Sequence, residues 1–181
     1  MKKTKMPSNI KGKTQNDIKE KEQSNKTKKV PNSMYDTSAN IICLVLLLGI
    51  GIYLAISWSN FPDKIPGHYG FDGTVTRWAN KSELFFMPII GLGVFLMMVM
   101  AERIPQIWNT DKTISEKNRE LIDQTMKGTL STIKLVVVVA CTFITYNSSL
   151  AQNLPVWFTP LFIVLSLCPV GVYYMAVARA K

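Results

Sequence analysis

Within the stretch SNFPDKIPGHYGFDGTVTRWANKSE, residues 59–83, a histidine lies close to two carboxylates: Asp63, His68 and Asp72 fall within ten residues, with Tyr69, Arg77, Trp78, Lys81 and Glu83 nearby. Three chemistries can be weighed against that set. A metal centre would use His68 and the aspartates, but His68 is the only histidine in the chain. Zinc sites generally draw on several His or Cys ligands, so no metal is expected. A hydrolase would pair His68 with Asp63 or Asp72, yet no serine stands in a nucleophile elbow and no oxyanion hole is suggested. No catalytic residue is therefore assigned, and without a phosphate-binding glycine loop no cofactor is expected. What remains is recognition: a ligand, most naturally a peptide, met by Pro62, Asp63, Pro66, His68, Tyr69, Gly73, Arg77, Trp78 and Lys81. In this reading the two prolines and Gly73 set the backbone, and Trp78 sits at the lipid headgroups. The bland alternative keeps the turns and the anchor, and has His68 merely bonding a backbone group.

The elements that must hold this stretch are membrane helices. The chain has 181 residues, 48% hydrophobic and 18% charged, but the two kinds are segregated rather than interleaved at a period of 2 or 3.6. Four stretches are apolar on all sides for the roughly 20 residues that cross a hydrocarbon core about 30 Å thick. The sequence predicts helices over 39–58, 84–100, 133–150 and 155–178, hence an all-α integral membrane protein with four transmembrane helices. The 59–83 loop is expected to be ordered by its prolines and glycines, and Asn80 with Glu83 resembles a capping box for the second helix. Asp36, Thr37 and Ser38 offer N-cap chemistry for the first helix, while Gly49, Gly51, Gly91 and Gly93 would allow close helix approach. Ile114, Ile122, Met126, Leu130 and Ile133 recur at helical spacing, so the 104–132 connection reads as amphipathic, with Ser115 and Glu116 at its start. Residues 133–181 form a helical hairpin with a very short connection, and Pro160 and Pro169 are expected to bend its second arm. Cys43, Cys141 and Cys168 stand alone in apolar stretches and act as small hydrophobes. No ionisable residue lies in the core of any stretch, which argues against a pump or proton-coupled transporter.

Charge sets the orientation. The net charge is +9, and ten of the 21 Lys+Arg residues lie in the first 29 positions. If the amino terminus is cytoplasmic, 18 basic residues fall inside and only Lys64, Arg77 and Lys81 outside, as the positive-inside rule requires. Both termini are then cytoplasmic and the 59–83 loop faces outward. Residues 1–38 read as a disordered basic tail. Without aromatics to stack on bases, that tail suits anionic lipid headgroups rather than nucleic acid.

The run Pro62-Asp63-Lys64-Ile65-Pro66-Gly67-His68-Tyr69, followed by Gly73, Trp78 and Lys81, resembles the hallmark of the bacterial membrane family of unknown function numbered 1648 (DUF1648). That hallmark is roughly L-P-x-x-I-P-x-H-[FWY]-x-x-x-G-x-x-[DG]-x-[WY]-x-x-K between two transmembrane helices. The likeness runs from about Ile41 to Val99. Phe61 replaces the commoner leucine and Gly67 a usually bulkier residue. The module, here residues 39–103, stands at the amino-terminal end of proteins similar to the sporulation-delaying-protein immunity protein. The resemblance implies a bacterial plasma-membrane protein, an outward loop that senses a secreted peptide toxin, and a cytoplasmic face that recruits a regulator. The second motif of those immunity proteins is absent from 113–181. A small transport or export accessory is the other function in view, and a membrane hydrolase the third.

Overall fold

The computed structural model describes residues 30–104, 108 and 116–180. Four helices are long and apolar enough to cross a membrane, and the chain is a multi-pass membrane protein. They are α1 (Met34–Ser57), α2 (Phe86–Arg103), α3 (Glu116–Ser149) and α4 (Phe158–Ala180). The ten tail lysines, Lys112, Ile114 and Ser115 lie outside the described residues.

Helix α1 starts earlier than its apolar run. Its N-cap is Ser33, whose Oγ accepts from Asp36 N–H while Asp36 Oδ2 accepts from Ser33 N–H. This reciprocal box satisfies two helix-end donors at once. It moves the cap from 36–38 to Ser33 and makes 34–38, assigned to the tail, helical. Helix α3 has 34 residues, about 51 Å at 1.5 Å per residue. The amphipathic connection therefore runs unbroken into the third membrane span, from Glu116 onward.

Helix α3 is the centre of the bundle: α1, α2 and α4 each pack on it, whereas α1 and α2 barely meet. The reason lies in one stripe, Lys127, Ser131, Lys134, Val138, Cys141, Thr145 and Ser148, all buried. Their alternating spacings of four and three form a continuous seam along a helix. Most are small or hydroxylated, which lets neighbouring backbones come close in the absence of a hydrophobic driving force in lipid. Hydroxyls on this helix bond back one turn, Thr145 Oγ1 to Cys141 C=O (2.8 Å) and Thr142 Oγ1 to Val138 C=O (2.9 Å), so neither of these donors is stranded in hydrocarbon. Gly91 fits against this seam: a Cβ there would lie 3.2 Å from Cys141 Cβ. Gly49, Gly51 and Gly93 face open space instead, so three of the four glycines expected to thin a helix face do not do so. Pro160 lies in the first turn of α4, where missing backbone bonds cost least, and Pro169 lies inside that helix.

The expected ordered loop is a two-stranded antiparallel hairpin, β1 (Lys64–Tyr69) and β2 (Val75–Asn80), so the helical fold carries a small sheet. The turn closes through Gly70 N–H to Thr74 C=O (2.7 Å) and Gly73 N–H to Gly70 C=O (3.0 Å). Gly73 has φ +85°, the left-handed region open to glycine without a Cβ penalty. Asn80 makes no side-chain cap onto the 3-10 turn Lys81–Phe85. Glu83 has turned away to Arg77, and that charged partner replaces the expected capping box.

Candidate functional site

The hairpin is held on the bundle at its tip, its middle and its base. At the tip, Leu154 N–H donates to Gly73 C=O (2.9 Å) and Val75 N–H to Asn153 Oδ1 (3.0 Å), tying it to the short α3–α4 connection. A Cβ on Gly73 would come within 2.3 Å of Leu154 O, so glycine is required by the contact as well as by φ. In the middle, Tyr69 Oη bonds Ser148 Oγ and Gln152 C=O, both at 3.0 Å. Burial pushes the Tyr69 phenol up from its ordinary pKa, partly offset by the Ser148 bond. At the base, Phe61, Ile65, Leu54 and Leu84 form a buried apolar cluster with Tyr53 and Trp58 against it. Lys81 lies 3.6 Å from Asp63 and 5.3 Å from the centroid of the Trp58 ring. This is a cation–π seat at a helix end.

Between β1 and the ends of α2, α3 and α4 lies a cleft of about 560 Å³. Phe86, Met87, Ile144 and Phe158 give it apolar walls, and His68, Arg77 and Glu83 stand among its polar lining. Arg77 spans β1 to the start of the second membrane segment: its guanidinium meets Glu83 at 2.7 and 3.2 Å and donates to Gly67 C=O (3.0 Å). The Glu83 partner holds the Arg77 guanidinium above its usual range. Gly67 is the residue skipped in the register between Pro66 and His68. A Cβ there would lie 2.5 Å from Ala79 Cβ and 2.9 Å from the Arg77 guanidinium. Gly67, one of the two residues that depart from the family's motif, therefore stands where there is no room for a side chain.

His68 is exposed, with Nδ1 2.6 Å from Thr76 Oγ1, and Thr76 Oγ1 donates to His68 C=O (3.3 Å). The two aspartates do not join His68. Asp63 faces Lys81, and Asp72 Oδ1 accepts from Thr74 N–H and Oγ, which holds its carboxyl below the usual range. Among the described residues no group of three or more His, Cys, Asp or Glu converges as a metal site would require.

Of the residues singled out from sequence, Pro66, His68, Tyr69 and Arg77 meet at the cleft. Asp63 and Lys81 pair at the hairpin base, beside Pro62, and Gly73 docks the tip. Trp78 stands 53% exposed and outside the cleft lining.

A second polar centre, at the opposite end of the bundle, went unread. Lys134 Nζ lies 2.7 Å from Glu102 Oε1, with side-chain exposures of 0% and 5%. It also meets Asn40 Oδ1. Ser131 Oγ lies 2.9 Å from Asp36 Oδ1 and 3.0 Å from Glu102 Oε1. Lys127 Nζ donates to the carbonyls of Val30 and Pro31 and to Asn32 Oδ1, strapping the chain before α1 onto α3. Asp36 and Glu102 lie near the ends of α1 and α2, and Lys127 and Lys134 lie within α3 at the start of its apolar run, where sequence marks a membrane exit. Only the spacing of 127, 131 and 134 on one face of α3 signals that they turn inward. A layer of Cys43, Phe95 and Val138 forms an apolar core cluster beyond Lys134 along α3.

No curated protein and no solved structure matches the chain. The part that does find a counterpart is the one built around the cleft: residues 44–92, from α1 through the hairpin into α2, match the family model described as Domain of unknown function (DUF1648).

Proposed function

We propose that the protein is a non-enzymatic receptor of a bacterial plasma membrane that senses, or gives immunity to, a secreted peptide. In this reading the hairpin faces outward, both termini are cytoplasmic, the basic tail meets anionic lipid, and the inner face recruits a regulator. The carrying observation is the cleft: apolar walls and a polar rim beneath a hairpin tied to the bundle, a combination typical of ligand sites. The asymmetry of basic residues supports the outward orientation. The partners of Asp63, Asp72 and His68 support binding over hydrolysis, because no relay links them. The apolar Cys43–Phe95–Val138 layer supports sensing over transport, because it interrupts the polar groups along the bundle.

The test is survival of cells producing the chain under challenge by a membrane-active secreted peptide toxin, with membrane levels measured in parallel. Protection is expected, and is expected to fall at least tenfold for Thr159→Trp, which fills the cleft, and for His68→Ala. Deleting residues 1–29 should leave it largely intact. Protection that survives Thr159→Trp, or that only the tail deletion removes, overturns the proposal.

A further inference from the structure

Every residue from 65 to 70 lines the cleft, but β2 contributes Arg77 alone. Side chains of a strand alternate between its two faces. A cavity that touches five consecutive residues of β1, Ile65 to Tyr69, therefore meets the strand along its edge. The pairing pattern says which main-chain groups point there. Lys81 N–H donates to Asp63 C=O (3.1 Å), so 63 and 81 are a hydrogen-bonded pair. Bonded and non-bonded pairs alternate in an antiparallel ladder. With Lys64 opposite Asn80, Ile65 opposite Ala79 and Pro66 opposite Trp78, the ladder bonds belong to Ile65, and the polar groups of Pro66 turn outward. A proline, having no N–H, is tolerated at such an edge position. From the turn end, Gly70 N–H donates to Thr74 C=O, so the neighbouring pair of Tyr69 and Val75 also turns its groups outward. Val75 obeys this rule: its N–H leaves the ladder for Asn153.

The Pro66 carbonyl and the Tyr69 N–H and C=O thus face away from β2, on the side of the cleft. None of the three has a hydrogen-bond partner outside the hairpin among the described residues. At the tip, the outer edge of β2 is already closed by Asn153. The charges at the rim are matched, Arg77 to Glu83, so the cleft has no unbalanced charge with which to select an ionic partner. Its electrostatic complement is a neutral chain.

We propose that β1 is a docking edge: an extended, uncharged peptide segment adds to it as a third strand. One incoming residue exchanges both main-chain hydrogen bonds with Tyr69, and another donates its N–H to the Pro66 carbonyl. An apolar side chain of the segment fills the cleft. Strand addition takes affinity from the main chain and specificity from the pocket that receives alternate side chains. The selection is thus for backbone conformation, neutrality and bulk. This inference rests on the peptide-sensing function above and names its ligand class and mode.

The test uses the full chain in lipid nanodiscs and a displayed library of random decapeptides. Enriched peptides are resynthesised with a single N-methyl group at each amide in turn. Uncharged sequences are expected, with at least tenfold weaker binding when one of the laddering amides is methylated. Exchange of the Tyr69 amide should slow at least tenfold on binding. Peptides whose binding is lost in Thr159→Trp, but which tolerate methylation everywhere within twofold and leave Tyr69 unprotected, would refute strand addition while leaving peptide sensing standing. Enrichment of only charged sequences would refute the neutral-ligand assignment. No enriched binder, or binding indifferent to Thr159→Trp, overturns both.

Discussion

The buried pair of Lys134 and Glu102 allows a sharp stability test. At 2.7 Å the attraction between unit charges is about 6 kcal/mol at an effective dielectric of about 20. Removing two ions from water offsets most of that gain, so the intact pair contributes little net stability. Breaking it is another matter. In Lys134→Met the Glu102 carboxylate stays buried with only the Ser131 hydroxyl beside it, and Asn40 Oδ1 loses its donor. The interaction of the ammonium with the Phe95 ring, 5.9 Å away, is lost as well. Removing one member of a buried pair costs about 3–5 kcal/mol. Glu102→Leu should cost a similar amount by stranding the ammonium. The double variant Lys134→Met with Glu102→Leu removes both charges and should lie within about 2 kcal/mol of the parent, giving a coupling of several kcal/mol between neighbouring sites. Unfolding in mixed detergent micelles, followed by tryptophan fluorescence, measures all four proteins. Single variants within about 0.5 kcal/mol of the parent, or a double variant as unstable as the two singles added, would refute this account of the pair.

Gly73→Ala should loosen the hairpin tip by about 2 kcal/mol, from a left-handed residue given a Cβ and a strained Leu154 hydrogen bond. Amide exchange at Val75 should quicken roughly 30-fold while α3 amides hold their rates; unchanged exchange at Val75 would show that the tip is not docked. For the topology, Thr74→Cys in a cysteine-free background should react with an impermeant maleimide from outside intact cells and Lys117→Cys should not. The reverse pattern would invert the orientation.

The four spans were legible because membrane solvation acts on composition, and composition needs no partner to be read. The amphipathic run into α3 was legible for a similar reason: a helical period shows within one segment. The hairpin was harder. Six-residue strands with register shifts on either side of His68 lose the alternation that betrays a strand, and the Pro and Gly content suggested only order. Asn80 and Glu83 have the right spacing for a cap, yet spacing cannot tell that Arg77, six residues before Glu83, offers a better partner. The early start of α1 was hidden because Ser33 and Asp36 precede the continuous apolar run, which begins only after Asn40.

The Asp36–Asn40–Glu102–Ser131–Lys134 cluster was illegible for a deeper reason. Each member taken singly stands at or beside the end of an apolar run, and a hydropathy reading assigns a polar residue there to water. Whether it meets water depends on how far the neighbouring helix extends. Helix α3, about 51 Å long, overshoots any bilayer core and runs past the end of α2 and the start of α1. The termini of those shorter helices are therefore covered by protein rather than solvent. Burial then demands partners for every polar group, and Ser131 and Lys134, one turn apart on the seam, supply them. The same overshoot explains the strap by Lys127, one further turn along, which takes the Val30 and Pro31 carbonyls and Asn32 Oδ1 ahead of α1. At the hairpin end the order is reversed: α3 stops at Ser149, and the chain that covers its last turn is the hairpin itself. Tyr69 bonding Ser148, and Asn153 bonding Val75, make the cap an extension of the bundle. Any ligand seated on β1 would thus press directly on the helix that also carries the buried charges at the opposite end.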